Sequence, residues 1–266
     1  MIRESFYRVF KRKRIFLIGL IIIAINILDL YPRAMFPIVE DQLILQSAYT
    51  ENILGNGSLG KGFVMYIFLS FIIAALPMAD SMIEDRQTGI IGTYLLKTSR
   101  KKYLRNRFVM NFIYGGAFVA LTILINLLIW LLIRPTYDLT YFNNTLINDF
   151  FLIDLIVDHP IIFYILTLLR IFMVGGIMAS FAMVLNDIFK SKFVGLGGVF
   201  LVDIIIELIV SLTSNYSGFF SHFKALTTLL HGFLPNVGLT SFIYPLILFL
   251  ISLGYFFIIK KDRIDV

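Results

Sequence analysis

The sequence predicts an all-α, polytopic membrane protein, and three observations support that fold class. Of the 266 residues, 59% are hydrophobic and 15% are charged, and the mean hydropathy is +0.88. Apolar runs near the ~20 residues that cross ~30 Å of hydrocarbon recur along the chain. The stretches between these runs are too short for an independent soluble domain. We therefore expect residues 1–266 to form a single transmembrane domain.

Apolar windows between charged residues predict six transmembrane helices, which places both termini on one side. Of the 23 Lys and Arg residues, 18 lie on that side: six before the first span, seven in 80–107, two in 186–193 and three after the last span. Because basic residues accumulate on the cytoplasmic side, we expect both termini in the cytoplasm, below a plasma membrane. The abundance of Ile, Lys, Asn and Phe is typical of AT-rich bacterial genomes. The predicted spans are residues 15–33, 62–79, 108–133, 159–185, 194–213 and 239–259.

The segment GNGSLGKG, residues 55–62, comes close to a phosphate-binding loop but lacks the hydroxyl residue after Lys61. A phosphate-binding loop also follows a strand, whereas this segment is predicted to lie outside the membrane and to lead into a span. We expect its glycines to give a flexible lead into that span. The chain itself is therefore predicted to bind neither ATP nor Mg²⁺.

Other chemistry finds little support in the sequence. Because the chain has no cysteine, thiolate catalysis and disulfides are excluded. His159, His222 and His231 do not have the spacing of a metal site. The net charge of +6 fits membrane topology and lipid headgroups rather than nucleic acid. No catalytic residue, metal or cofactor is predicted for this chain.

Residues 1–14 are predicted to form an amphipathic helix at the cytoplasmic interface. Ile2, Phe6, Val9 and Phe10 recur at helical spacing among basic residues. Such a helix places its apolar stripe among acyl chains and its basic side chains on headgroups. The alternative is a simple basic anchor for the first span.

The cytoplasmic segment 80–107, here called the connector, has an acidic start, a short amphipathic stretch and a basic end. Acidic residues suit the positive end of a helix dipole, and the apolar residues that follow form i, i+4 pairs. Topology alone would explain the basic end, but not the amphipathic stretch with its glycines. The residues singled out here are Glu84, Asp85, Gly89, Ile90, Ile91, Tyr94, Leu95 and Arg100.

The connector resembles the cytoplasmic segment between the second and third spans of ABC transporter permeases of the type-2 exporter class. Where family members often carry a proline after the Leu pair, this chain has Lys97 and Thr98. The matching residues are Glu84, Gly89, Thr93, Leu95, Leu96, Ser99, Arg100 and Tyr103.

The resemblance, which the six-span layout extends over the whole chain, implies a transport subunit that is not itself an enzyme. It implies a second permease chain, identical or homologous, and two copies of a cytoplasmic ABC ATP-binding subunit that carries ATP and Mg²⁺. In that family the connector contacts the ATP-binding subunit. Residues 185–192 are a candidate second contact, although a short basic turn explains them equally well.

Residues 214–238 are too apolar for an ordinary loop and too interrupted for a span. They resemble the outer re-entrant helices that related exporters place before the last span, with breaks near Gly232 and Pro235. Non-helical backbone at that depth is tolerated where protein buries it. An interfacial loop anchored by phenylalanines is the alternative. The residues singled out are Phe219, Phe220, Phe223 and Leu230.

Charged residues lie deep inside the fourth and fifth predicted spans: Arg170 in the fourth, and Asp203 and Glu207 on one face of the fifth. Ionisable groups at that depth usually face a partner or a water-filled cavity. A rise of ~1.5 Å per residue puts Arg170 and Glu207 at nearly the same depth, so we expect them to pair, with Asp203 nearby. This cluster either locks helices together or lines a pathway. Small residues in the fourth span, at 175, 176, 179 and 180, are spaced for close helix packing.

Together these features predict the permease subunit of an ATP-driven exporter that works with a separate ATPase. The many aromatic residues, 27 Phe and 13 Tyr, suit a lipophilic or amphipathic cargo such as a membrane-active peptide. The alternative is an ATP-independent membrane protein, either a secondary carrier or a protein that gives immunity to a toxic peptide. In that case the intramembrane charges would be coupling groups.

Overall fold

The computed structural model describes residues 2–34, 47–55, 60–136, 152–213, 225–232 and 239–259. Every regular element in these ranges is helical, which confirms the all-α prediction. A 3₁₀ turn, Leu239–Phe242, and a π-helical turn, Tyr255–Ile259, flank the last helix. The α-helices are α1 Ile2–Lys11, α2 Lys13–Ala34, α3 Ala48–Glu51, α4 Lys61–Ala75, α5 Ser81–Gln87, α6 Ile90–Lys97, α7 Arg100–Ile133, α8 Ile153–Asp158, α9 Pro160–Phe189, α10 Val194–Thr213, α11 Leu226–Leu229 and α12 Ile243–Gly254.

Four helices in the described part of the chain are long and apolar enough to cross a membrane: Lys13–Tyr31 of α2, and α7, α9 and the Val194–Leu212 stretch of α10. The chain is therefore a multi-pass helical membrane protein. α4 and the helix that begins with α12 are apolar but shorter, so a total of six spans remains a prediction.

The short length of α4 has a local cause. Its sequence stays apolar beyond Ala75, yet the chain turns at Leu76–Asp80 because Pro77 lacks a backbone N–H and cannot continue the helical hydrogen bonding. The fifteen residues of α4 extend only ~22 Å, less than the ~30 Å of a hydrocarbon layer. The predicted span 62–79 is thus one helix followed by a turn.

The centre of the bundle is the contact between α7 and α9, with α4, α10 and α12 packed around α9. Glycines allow the two helices to approach closely. A Cβ atom on Gly115 would lie 2.2 Å from Cβ of Ala179, and one on Gly116 would lie 2.3 Å from the carbonyl oxygen of Phe172. The small residues of the fourth span therefore serve helix packing, as predicted.

The two ends of the bundle differ. We call the end that carries α1, α5, α6 and the turn 190–193 the basic face, and the end that carries segments 47–55 and 225–232 the opposite face. On the basic face, α1 ends at Lys11 and a bend at Arg12 leads into α2. Val9 is buried against Met78, whereas Phe6 and Phe10 are exposed, so α1 divides its apolar residues between the bundle and its surroundings.

Candidate functional site

Charged side chains on the basic face join α1 to the start of the connector. Arg8 donates to Glu84 over 2.8 Å and also pairs with Asp85. Arg12 donates to Asp80 over 3.1 Å, to Glu84 and to the carbonyl oxygen of Pro77. Burial lowers the pKa of the Arg12 guanidinium, and the Asp80 carboxylate opposes that shift. These contacts fix the N-terminal helix to the turn that follows α4.

Asp85 is the centre of this network and is fully buried. Besides Arg8, it accepts a hydrogen bond from the Tyr103 hydroxyl over 2.7 Å and pairs with Arg107, whose Nη2 lies 2.9 Å away. The Arg107 guanidinium lies 5.2 Å from the ring centroid of Tyr94 and 5.5 Å from that of Tyr103. A buried carboxylate needs such complete pairing because its desolvation is costly. Asp85 therefore ties the connector to α7 as well as to α1.

The amphipathic stretch of the connector is the separate helix α6. Gly89 precedes it with φ 70°, a left-handed conformation that glycine adopts without strain, and this allows the turn from α5. Ile91 faces the bundle at 4% exposure, whereas Leu96 is 89% exposed and Ile90 is 42% exposed. The Tyr94 hydroxyl donates to Glu4, and burial together with this bond raises the pKa of Tyr94. α6 is thus held on one side and open on the other.

The predicted coupling residues divide into two groups in the structure. Glu84 and Asp85 bind arginines of α1 and α7, Ile91 is buried, and Tyr94 and Leu95 pack partly against the core. Their role is to hold the connector in place. The apolar surface that stays open is formed by Ile90 and by Leu96, a residue that the helical pattern alone did not single out. Gly89 forms the turn before α6, and Arg100 begins α7.

A second polar contact on the basic face involves residues that the sequence did not identify. Asp187 near the end of α9 pairs with Arg86 over 2.9 Å and accepts from the Tyr255 hydroxyl over 2.6 Å. The next turn leaves Ile188, Phe189 and Phe193 exposed, at 52%, 62% and 71%. The predicted second contact at 185–192 therefore lies on the same face as α6 and is bound to α5.

The two acidic residues of α10 bind segment 225–232. Asp203 accepts from the amide N–H of Leu226 over 2.8 Å and from that of Thr227 over 3.1 Å, which are the first amides of α11. The Thr227 hydroxyl donates to Glu207 over 3.3 Å. Asp203 is buried and Glu207 is exposed. A carboxylate at this position satisfies amides that the short helix leaves unpaired.

Arg170 of α9 binds the other end of the same segment. Its Nη2 donates to the carbonyl oxygen of His231 and, over 3.3 Å, to that of Gly232. The segment is thus held at its amides by an acid and at its last carbonyls by a cation. Leu226, Leu229 and Leu230 between these contacts are fully buried.

The expected Arg170–Glu207 ion pair does not form within the described part of the chain, because both side chains bind segment 225–232 instead. The expected pair was inferred from the depths of Arg170 along α9 and Glu207 along α10. That comparison could not reveal the observed contacts, because it takes no account of a third segment that folds back against both helices. The buried α11 at Leu226–Leu229 lies within the predicted re-entrant region. Among the predicted re-entrant residues, Leu230 is buried in the structure. The other three, Phe219, Phe220 and Phe223, lie outside the described residues.

A similar arrangement holds segment 47–55 and was missed by the sequence analysis. Asn126 of α7 accepts from the amide of Ile53 over 2.9 Å and donates to Asp29 of α2 over 2.9 Å. The Trp130 indole also donates to Asp29, over 3.0 Å. The sequence feature that could have indicated this arrangement is the acidic residue Asp29 inside the first apolar run. Gly62 has no flexible role here: it lies in α4, where an added Cβ would meet Asp29 at 2.5 Å.

An apolar groove of about 550 Å³ lies between α9 and α12. Phe112 of α7 and Leu152 complete its wall, and Arg170 is its only charged lining residue among the described ones. The other lining residues are Phe163, Leu166, Thr167, Leu169, Met173, Val174, Ile177, Phe242, Pro245, Leu246 and Phe249.

Comparison of the chain with protein-family models, with curated proteins and with solved structures finds no match. Two candidate regions follow from the geometry alone: the open side of α6 on the basic face and the charged residues that hold the opposite-face segments. Within the described residues, no group of three or more His, Asp or Glu side chains is arranged to hold a metal ion.

Proposed function

We propose that this chain is the permease subunit of an ATP-driven exporter with six spans, and that a separate cytoplasmic ATP-binding subunit docks on its basic face. The observation that carries the proposal is the exposed apolar side of α6, with Leu96 at 89% exposure, on a helix outside the candidate spans. Exposed apolar patches rimmed by charged residues are typical of protein contact sites.

The connector has the stiffness that a mechanical contact requires. Asp85 links it to α1 and α7, and Asp187 links α5 to the end of α9. A displacement of the connector would therefore move α1 and the long helices α7 and α9 together rather than bend a loop. ATP-driven closure of a docked subunit could reach the spans by this route, with ATP and Mg²⁺ bound by the partner chain.

A second permease chain, identical or homologous, is part of the proposal, and α10 supports it. Glu207 is exposed on α10 beside the apolar residues Ile204 and Leu208, which are 39% and 58% exposed. An exposed carboxylate on a mainly apolar surface is more stable against protein or water than against acyl chains, so this side of α10 should face protein or water. A second copy packed along α10 would provide both an interface and a route for cargo.

The cargo is proposed to be lipophilic or amphipathic, which fits the aromatic content of the chain. An ATP-independent carrier or immunity protein is less well supported. In a carrier the intramembrane charges would be free to bind and release ions, whereas Arg170 and Asp203 are engaged with the main chain of segment 225–232. The plasma membrane of a bacterium, with both termini in the cytoplasm, is the proposed location.

The experiment is purification of the chain from its native membrane in mild detergent, followed by identification of a bound ATPase. We expect a stoichiometric ATP-binding subunit with wild type and with Leu96→Met. Leu96→Asp should weaken its binding about tenfold or more, because docking would bury an unpaired carboxylate. Thermal unfolding of the free chain should be unchanged in both variants, since residue 96 is exposed.

Unchanged thermal unfolding of Leu96→Asp and Leu96→Met would exclude a folding defect as the cause of weaker ATPase binding by Leu96→Asp. Equal ATPase binding by Leu96→Asp and Leu96→Met would show that α6 is not the docking surface. Transport activity that persists in a preparation without any ATPase would favour the carrier.

A further inference from the structure

The groove between α9 and α12 has the shape of a site for an extended apolar chain. Its lining residues on α9 run from Phe163 to Ile177, a distance of ~21 Å along the helix axis. The volume of about 550 Å³ lies within the range of small-molecule sites. Leu166 and Leu246 at its rim are 42% and 54% exposed, so the groove opens sideways towards the surrounding membrane.

Arg170 gives this apolar groove a positive charge. A guanidinium carries five N–H donors, yet within the described part of the chain only Nη2 has acceptors, and both are neutral carbonyl groups. No carboxylate pairs with Arg170 among the described residues. A half-buried charge in mainly apolar surroundings, with no carboxylate partner among the described residues, favours an anion that reaches it.

The depth of Arg170 fits the headgroup region. It lies ten residues from Pro160, or ~15 Å along α9, and seventeen residues from the buried Asp187 at the basic face, or ~26 Å. With ~30 Å of hydrocarbon measured from Asp187, the guanidinium is only a few ångströms below the opposite boundary. An arginine at that depth can reach a lipid phosphate.

We propose that this groove binds an anionic glycerophospholipid of the surrounding bilayer. One acyl chain lies between α9 and α12, and the phosphate pairs with the Arg170 guanidinium. The Arg–phosphate pair supplies the charge selectivity, and the apolar walls supply most of the affinity. The bound lipid would support the contact between Arg170 and segment 225–232. This proposal stands whether or not the chain is a permease.

The test is native mass spectrometry of the full chain, purified and delipidated in detergent, with phosphatidylglycerol or phosphatidylcholine of identical acyl chains added. We expect wild type to retain phosphatidylglycerol about fivefold more tightly, as one cation near a lipid surface provides. Leu166→Trp, which fills the groove, should lose retention of both lipids. Ile165→Trp is the matched control, because Ile165 is 59% exposed on the adjacent side of α9 and does not line the groove.

Arg170→Gln should remove the preference for phosphatidylglycerol while weak retention of either lipid remains. If Arg170→Gln does not fold, the comparison of lipid retention by Leu166→Trp and by Ile165→Trp still tests whether the groove binds lipid. Equal retention of the two lipids by wild type, or wild-type retention by Leu166→Trp, would overturn the proposal. So would tighter binding of palmitate than of phosphatidylglycerol, since it would assign the groove to a free fatty acid. Protection of the groove by a second copy, with no lipid bound, would overturn it as well.

Discussion

Single charged residues in the apolar helices bind main-chain atoms of short segments rather than one another. Asp203 accepts from two amides of α11, and Arg170 donates to the carbonyl oxygens at the other end of segment 225–232. A charge inside the bundle is tolerated only where it meets polar partners. Unpaired amides and carbonyls of a short buried helix are such partners.

This arrangement predicts the outcome of exchanging the two charges. The double variant Arg170→Glu with Glu207→Arg should unfold at a temperature no higher than the less stable of the two single variants. The reason is that Arg170 needs carbonyl acceptors, which a glutamate at 170 cannot use. Thermal unfolding in detergent measures this, and recovery to near wild-type stability would show that the two residues form an ion pair.

The buried Asp85 network gives a second prediction at the residue scale. Asp85→Asn should lower the free energy of unfolding by about 3 kcal/mol, because it leaves Arg107 buried beside a neutral group. Glu84→Gln is the matched control, since the Glu84 side chain is 33% exposed and its loss should cost at most about 1 kcal/mol. Denaturant or thermal unfolding in the same detergent compares them. Equal losses would show that Asp85 is not the centre of the network.

Helices were predictable from the sequence to the extent that apolar periodicity and length define them. The four long helices cover the predicted spans, although α7 begins at Arg100, eight residues earlier than predicted, and Pro77 explains why α4 ends early. The contacts between elements were not predictable. No pattern along the chain indicates that Arg8 meets Asp85, or that segments 47–55 and 225–232 fold against the spans, because these contacts join distant residues through three-dimensional packing.

Packing between α7 and α9 gives a prediction at the element scale. Gly116→Val should destabilise the bundle by about 1–3 kcal/mol or more, because its Cβ would lie 2.3 Å from the carbonyl oxygen of Phe172. Gly19→Ala in α2 is the control, since no atom lies within 4 Å of the added methyl group. That change should stabilise α2 by about 0.5–1 kcal/mol. A Gly116→Val variant as stable as wild type would contradict the close helix contact.

At the scale of the whole molecule, the two faces differ in what they leave open. On the opposite face, short segments are held against the bundle by polar and charged side chains: Asp29, Asn126, Asp203 and Arg170. On the basic face, a stiff charged network leaves the apolar side of α6 exposed. A membrane protein driven from one side by a docked ATPase needs a stiff contact surface on that side. We propose that the basic face, with the exposed side of α6, is that surface.

The most direct measurement is single-cysteine labelling and cross-linking in intact cells, which is straightforward because the chain has no cysteine of its own. Leu96→Cys marks the basic face, and Thr136→Cys, exposed just beyond α7, marks the opposite face. We predict that a membrane-impermeant maleimide labels Thr136→Cys from outside but Leu96→Cys only after permeabilisation, and that Leu96→Cys cross-links to an ATP-binding subunit. Labelling of Leu96→Cys from outside the cell would contradict the account.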